Sequence, residues 1–261
     1  MLRPTLLVLS CLLLLASCVT NKQVTLMQKN DLFKQDLKLN EVTRTYELDS
    51  FRYKIQTNDI LYIRFESLTP KEFDFFSGQT PQQNLNVMGN ALFFGELVNE
   101  KGEIPFPVIG KVKVAGLTIF ETQEYFRKLA SQYIDAPMVK VRLANYRVTL
   151  LGEVMKEGTI QLGNNRTSML EAIGLAGGLG ELADRSHLKL IRQWNGKTEV
   201  VYLNLLDEEF MRSPYYYVHQ NDIVIVPPLK QRTFRKYFSQ NLALVFSALS
   251  LALLVALNLK K

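Results

Sequence analysis

Tyr53-Lys-Ile-Gln-Thr-Asn58-Asp59-Ile60-Leu61-Tyr62-Ile63 has an echo near the other end of the chain, Tyr216-Tyr-Val-His-Gln-Asn221-Asp222-Ile223-Val224-Ile225-Val226. The shared pattern is Tyr-x-[Ile/Val]-x-x-Asn-Asp-Ile-[Leu/Val]-x-[Ile/Val], and it describes a turn that delivers a buried strand. Asn tolerates the left-handed backbone of a tight turn, and the Asp after it can accept hydrogen bonds from nearby backbone amides. Asn58, Asp59, Asn221 and Asp222 therefore read as structural turn residues. They do not make a carboxylate site, since each copy holds one acid facing a turn. The first copy opens one compact unit and the second closes another.

Working outward from the first copy, Leu61, Ile63 and Phe65 point one way and Tyr62 and Arg64 the other, as in a half-buried strand. Residues 66–95 form a long irregular insertion carrying Phe73, Phe75 and Phe76. Residues 97–114 read as two short strands around the turn Asn99-Glu-Lys-Gly102, with Pro105 and Pro107 confining them to an edge. Thr118 and Glu121 have capping-box spacing, and Ile119, Phe126, Leu129, Ala130 and Tyr133 fall on one face of the helix they start. Val139, Val141 and Leu143 alternate as a strand.

The second unit begins at Tyr146. A strand over 147–151 turns at Gly152 and Gly158 into another. Ser168 and Glu171 repeat the capping-box spacing before a short helix that stops at Gly177-Gly178. Strands over 188–192 and 199–203 flank Asn195-Gly196, a strong hairpin signal. The last strand, 222–226, ends at Pro227-Pro228. The fold class expected is α+β, two small mixed units in series.

Both ends of the 261-residue chain are apolar. After Arg3, residues 6–16 are apolar apart from Ser10, too short to span a bilayer and matched to a signal-peptide core. Leu15-Ala-Ser-Cys18 follows and resembles a bacterial lipobox, which makes Cys18 the lipidated first residue of the mature chain. Cys11 lies in the removed segment, so the mature chain has no disulfide. Residues 242–257 contain seven Leu, two Val, one Phe, four Ala and two Ser without a charge, between Arg235-Lys236 and Lys260-Lys261. A helix over about 241–259 would be ~28 Å long, near the thickness of a hydrocarbon core. Ala248, Ala252 and Ala256 form a small-residue stripe suited to a helix–helix seam or a pore lining, with Ser247 and Ser250 as the polar side chains in the run.

The expected organisation is a signal peptide (1–17), a lipidated tether (18–50), a first domain (51–145), a second domain (146–228), and a basic linker with a C-terminal transmembrane helix (229–261). Lys and Arg total 31 against 25 Asp and Glu, a modest and dispersed excess that disfavours nucleic-acid binding. No Gly-x-Ser-x-Gly elbow is present, and the glycines at 174–180 follow a helix where a phosphate loop would open one. Catalytic, cofactor-binding and metal-ligating residues are accordingly not expected.

The order of these pieces carries a resemblance. It comprises the lipobox; Tyr-x-Ile-x-x-x-Asp-Ile-Leu; Gly102-Glu-Ile-Pro-Phe-Pro-Val-Ile-Gly110 with Val114-Ala-Gly-Leu-Thr118; and Pro137-x-Val-x-Val141. Val148-x-x-x-Gly152-Glu-Val-x-x-x-Gly158, Glu171-Ala-Ile-x-x-Ala-Gly-Gly178 and Asn-Asp-Ile-x-Ile-x-Pro-Pro228 complete it. The chain resembles the outer-membrane polysaccharide export family of lipoproteins, whose members carry a polysaccharide export domain followed by soluble-ligand-binding β-grasp (SLBB) domains. Two departures stand out: Asn precedes Asp in both turns where the family usually has Gly, and one β-grasp unit is present where the best-known members carry more.

The resemblance implies a non-enzymatic, ring-shaped homo-oligomer that passes capsular or extracellular polysaccharide across the bacterial outer membrane. The lipid on Cys18 would hold each protomer, the periplasmic body would receive polysaccharide from an inner-membrane co-polymerase/tyrosine kinase, and the C-terminal helices would form the barrel. The competing reading is a membrane-tethered sugar-binding or scaffold module that does not itself form the pore.

Overall fold

The computed structural model describes residues 21–29, 40–47, 52–66, 95–106, 109–194, 196–233, 245–248 and 250–251. Cys18, the Phe73/Phe75/Phe76 cluster, Ala252 and Ala256 lie outside them. The fold is mixed α/β.

The first unit contains β1 (Ile60–Glu66), β2 (Glu96–Leu97), β3 (Glu103–Phe106), β4 (Gly110–Lys113), α1 (Ile119–Ala130) and β5 (Met138–Leu143). Its sheet has the order β2-β1-β5, antiparallel throughout, with Leu61 opposite Leu143 and Phe65 opposite Val139. Leu61 and Phe65 are buried and Tyr62 and Arg64 turn outward, so the alternation of the sequence becomes the two faces of the sheet. β3 and β4 make a two-stranded ribbon, and Pro105, which has no amide to give a ladder, is accommodated in it opposite Lys111. α1 begins at a closed capping box: Glu121 N donates to Thr118 Oγ1 at 3.2 Å and Thr118 N to the Glu121 carboxylate at 2.7 Å. Phe126 from α1 meets Phe106 and Phe65 at centroid distances of 4.9 and 6.3 Å, forming an aromatic core. Tyr133, which helical spacing places on the same face, is 51% exposed, because α1 ends at the Ser131 cap before reaching it.

The second unit contains β6 (Arg147–Gly152), β7 (Gly158–Gln161), α2 (Met169–Leu175), β8 (Leu188–Trp194), β9 (Lys197–Leu203) and β10 (Ile223–Val226). The strand order is β7-β6-β10-β8-β9. β10, the strand of the second echo, lies at the centre, parallel to β6 and antiparallel to β8. α2 starts at the Ser168/Glu171 capping box and packs Met169, Ala172 and Ile173 into the core with Val148, Leu150, Leu190 and Val224. Trp194 opposite Lys197 leaves a two-residue hairpin connection, with Gly196 at φ +73°. Gly152 ends β6 at φ +90°, and a Cβ there would lie 2.1 Å from the Val226 carbonyl oxygen, so only glycine lets β6 finish against β10.

The N-terminal tether docks on the second unit. Met27 N and Gln28 N donate to the carbonyls of Leu205 and Leu206 at 3.0 and 2.7 Å. Lys29 pairs with Glu209, and Arg44 makes a two-pronged contact with Glu208, Nε to Oε1 at 3.0 Å and Nη2 to Oε2 at 2.5 Å. Glu208 and Glu209 lie on the 3₁₀ turn Glu208–Arg212. Beyond Pro228 the body continues: Leu229 is buried, its amide donates to the Leu182 carbonyl at 2.7 Å, and Arg232 Nε lies 2.6 Å from Glu153 Oε1.

The expected C-terminal transmembrane helix over about 241–259 is not found among the described residues, where no helix is long and apolar enough to cross a membrane. Residues 245–248 and 250–251 are helical and exposed. Residues 241–244, 249 and 252–259 of the expected helix lie outside the described residues.

Candidate functional site

The two echo turns are built alike and neutralised differently. Asn58 and Asn221 both take left-handed backbone, φ +68° and +62°. Asp59 is 1% exposed; its Oδ2 accepts from Gln56 N and from the Tyr53 hydroxyl, both at 2.8 Å. Asp222 is fully buried; its Oδ2 accepts from His219 N at 2.7 Å. Arg192, itself buried, donates to Asp222 from Nε at 3.0 Å and from Nη2 at 2.7 Å, and Nη2 also reaches the Tyr217 carbonyl at 3.0 Å. Planar two-point contact of this kind is what guanidinium provides and ammonium does not.

Burial governs the electrostatics. It pushes the Asp59 carboxyl up to about 6, against the opposing pull of its Gln56 and Tyr53 hydrogen bonds. It raises Asp222 as well, with Arg192 opposing. His219 is pushed down to about 3, first by burial and then by the Arg192 charge, so its imidazole is neutral at pH 7. Tyr53 and Tyr146 are raised by burial and keep their protons.

The turns are brought side by side at the junction of the units. Asn145 links them: its Nδ2 donates to the Asn58 carbonyl at 3.0 Å, its Oδ1 accepts from Ile60 N at 2.9 Å, and its own carbonyl accepts from Gln220 Nε2 at 2.7 Å. Gln220 Oε1 accepts from Arg147 N at 2.8 Å. Tyr53 and Tyr146 meet edge to face at 5.6 Å, and Tyr146 donates its hydroxyl to the Val218 carbonyl at 2.5 Å. Between the turns and the β8–β9 hairpin lies a cleft of about 380 Å³.

At this junction both buried carboxylates, Asp59 and Asp222, are committed to internal hydrogen bonds. Among the described residues no group of three or more His, Cys, Asp or Glu is placed to hold a metal ion. Ser247, Ala248 and Ser250 lie in the exposed C-terminal helical residues, where Ser250 Oγ donates to the Ser247 carbonyl at 2.8 Å. They are remote in sequence from the junction, and Cys18, Ala252 and Ala256 lie outside the described residues. Sequence reasoning missed Arg192, Asn145 and Trp194. Arg192 stands in a strand otherwise read by its apolar alternation, and its inward position is the signal that could have marked a buried partner for one Asp.

Two family models match in tandem, one described as "Polysaccharide biosynthesis/export protein" over residues 49–144 and one as "SLBB domain" over residues 146–226. Among curated relatives, the EPS I polysaccharide export outer membrane protein EpsA of Ralstonia solanacearum is 28% identical over 184 residues, covering 67% of this chain and 48% of that protein. Its counterpart in Ralstonia nicotianae (strain ATCC BAA-1114 / GMI1000) is 32% identical over 154 residues, 54% of this chain and 40% of that protein. The chain thus spans less than half the length of the curated relatives it matches. With the two domains matched in series across nearly all of the compact body, the chain belongs to the outer-membrane polysaccharide export family.

Proposed function

We propose that this protein is the protomer of a ring-shaped outer-membrane translocon that exports capsular or extracellular polysaccharide without making or breaking a glycosidic bond. The observation that carries the reading is the tandem match of export and SLBB models over residues 49–226. In this reading the second unit is a β-grasp domain, supported by a helix packed on a mixed sheet whose central β10 runs parallel to β6. Cys18 carries the lipid, and the nine residues from it to Met27 reach at most roughly 30 Å. The docked tether therefore supports a second unit held close to the membrane. The apolar run 242–257 supplies the membrane helix, and an inner-membrane co-polymerase/tyrosine kinase delivers the cargo.

The test is a deletion strain complemented with full-length chain, Cys18→Ser, or chain truncated after Thr233. Full-length protein should restore surface polysaccharide and appear as rings after detergent extraction. Cys18→Ser should lose fatty-acid label and outer-membrane recovery. The truncation should fold but fail to restore export. An export-competent truncation, or particles that are monomeric while export proceeds, would replace the translocon with the tethered scaffold module.

A further inference from the structure

We propose that the cleft between the two Asn-Asp turns is a saccharide-binding subsite, with Trp194 as its stacking platform and the surrounding amide and hydroxyl side chains as its hydrogen-bonding rim. The inference deepens the export reading and rests on it for the identity of the cargo.

The cleft is assembled from three distant parts of the chain: the first turn (Gln56–Asp59), the second turn (Gln220 and Asn221), and the β8–β9 hairpin, which contributes Trp194 and Lys197. Its volume of about 380 Å³ falls within the ~300–1,000 Å³ of small-molecule sites. The floor is preorganised, because Asn145 and Gln220 tie both turns to the backbone by the hydrogen bonds described above, so a ligand would not have to order them. Trp194 lines the cleft half-buried and is set edge to face against His219 at a centroid distance of 5.4 Å, a contact that orients the indole.

The lining selects the ligand by chemistry. Nucleotides or free phosphates call for several cations, and among the described residues Lys197 is the lone one lining this cleft. A lipid or apolar ligand calls for an apolar wall, and here the wall apart from Trp194 is mostly amide and hydroxyl. A sugar ring has both features the cleft offers. Its C–H face is weakly positive and suits the negative face of an indole. Its hydroxyls donate and accept at once, as amide and hydroxyl side chains do. Among the described residues, the side chains of Thr57, Gln193, Lys197 and Thr198 make no hydrogen bond within the chain, so the rim is available to a ligand. Asp59 borders the cleft but spends its carboxylate inward, on Tyr53 and Gln56, which leaves a surface that holds sugar without cleaving it.

Trp194 is the single tryptophan of the chain, so its fluorescence reports on this cleft alone. The probe is a set of short oligosaccharides released by partial acid hydrolysis of the exporting strain's own surface polysaccharide, titrated into detergent-solubilised full-length protein. A saturable emission shift is expected, with half-saturation near millimolar, ~1 mM corresponding to a weak contact that cargo can leave. The rim variant Gln193→Ala/Thr198→Ala should keep the wild-type unfolding midpoint and bind at least about threefold more weakly, a loss of ~0.65 kcal/mol. By calorimetry, Trp194→Phe should retain binding and Trp194→Ala should lose it at least tenfold. Absence of both emission change and heat up to about 20 mM, or unchanged affinity in the rim and Trp194→Ala variants, overturns the subsite. A deletion strain that still displays polysaccharide overturns the export reading instead, whatever the purified protein binds.

Discussion

The Tyr53 hydroxyl donates to the Asp59 carboxylate, 2.8 Å from Oδ2 and 3.1 Å from Oδ1, in a site closed to solvent. Asp59 belongs to the turn that starts the first unit, yet the Tyr53 ring is packed in the core of the second, against Tyr146. One side chain therefore ties the turn of one unit to the hydrophobic core of the other.

Removing that hydroxyl leaves a buried acceptor short of its donor. Tyr53→Phe should cost about 1–3 kcal/mol with the ring contacts intact. Urea unfolding of the solubilised protein checks this, and a midpoint equal to wild type would show that water replaces the hydroxyl at no cost.

Arg192 and Asp222 form a buried pair, 4% and 0% exposed. Arg192→Met should destabilise by roughly 3–5 kcal/mol, since it strands a carboxylate away from water. Adding Asp222→Asn removes the stranded charge and keeps an acceptor for His219 N, so the double variant should be more stable than Arg192→Met. A double variant less stable than that single one would contradict the account.

Stability should depend on pH in two opposing windows. Asp59, raised from 3.8 to about 6 by burial, binds its proton more tightly folded than unfolded. Its contribution is fully present below about 3.8 and lost as pH rises through about 6, a fall of roughly 3 kcal/mol. His219, lowered from 6.5 to about 3, contributes stability fully present above about 6.5 and lost as pH falls toward 3. Asp59→Asn should flatten the first trend and His219→Gln the second. Thermal midpoints from pH 3.5 to 8 measure both, and variant profiles parallel to wild type would refute the assignment.

The tether contact is electrostatic at its rim. Arg44→Glu places like charge against Glu208, whose side chain is 12% exposed, and should undock the strap with a loss of about 1 kcal/mol. Limited proteolysis should then cut within residues 29–47 sooner than in wild type. The exchange Arg44→Glu/Glu208→Arg should restore protection. Protection unchanged in Arg44→Glu would mean that the backbone bonds at Met27 and Gln28, not the charges, set the docking.

The alanine stripe gives a three-way outcome from one substitution. If Ala248, Ala252 and Ala256 form the seam between neighbouring helices, Ala252→Leu should weaken the oligomer on native gels. If they face a pore, the oligomer should persist while surface polysaccharide falls. Unchanged assembly and unchanged export would assign the helix to lipid anchoring alone.

Local chemistry made much of this molecule legible in its residues. Both capping boxes depend on side chains three positions apart, so Thr118/Glu121 and Ser168/Glu171 mark helix starts without reference to the rest of the chain. The period-two alternation of β1 and β5 and the family motifs are local too. Tyr133 shows the limit of periodicity, since a face can be extended on paper past the cap that ends the helix.

Sequence alone determined where strands and helices begin, that the two Asn-Asp turns recur, and which family the motifs resemble, because each depends on neighbours within a few residues. Tertiary structure alone decided what the turn acids touch. Tyr53 lies six positions from Asp59, but Arg192 lies thirty from Asp222, and neither spacing distinguishes a hydroxyl partner from a guanidinium one. It also decided that Asn145 and Gln220 bring the two turns to the edge of one cleft, and that Trp194 lines it. Those contacts join residues distant along the chain, whose proximity is set by strand order and by hydrogen bonds across the junction of the two units, and they leave no periodic trace in the order of residues.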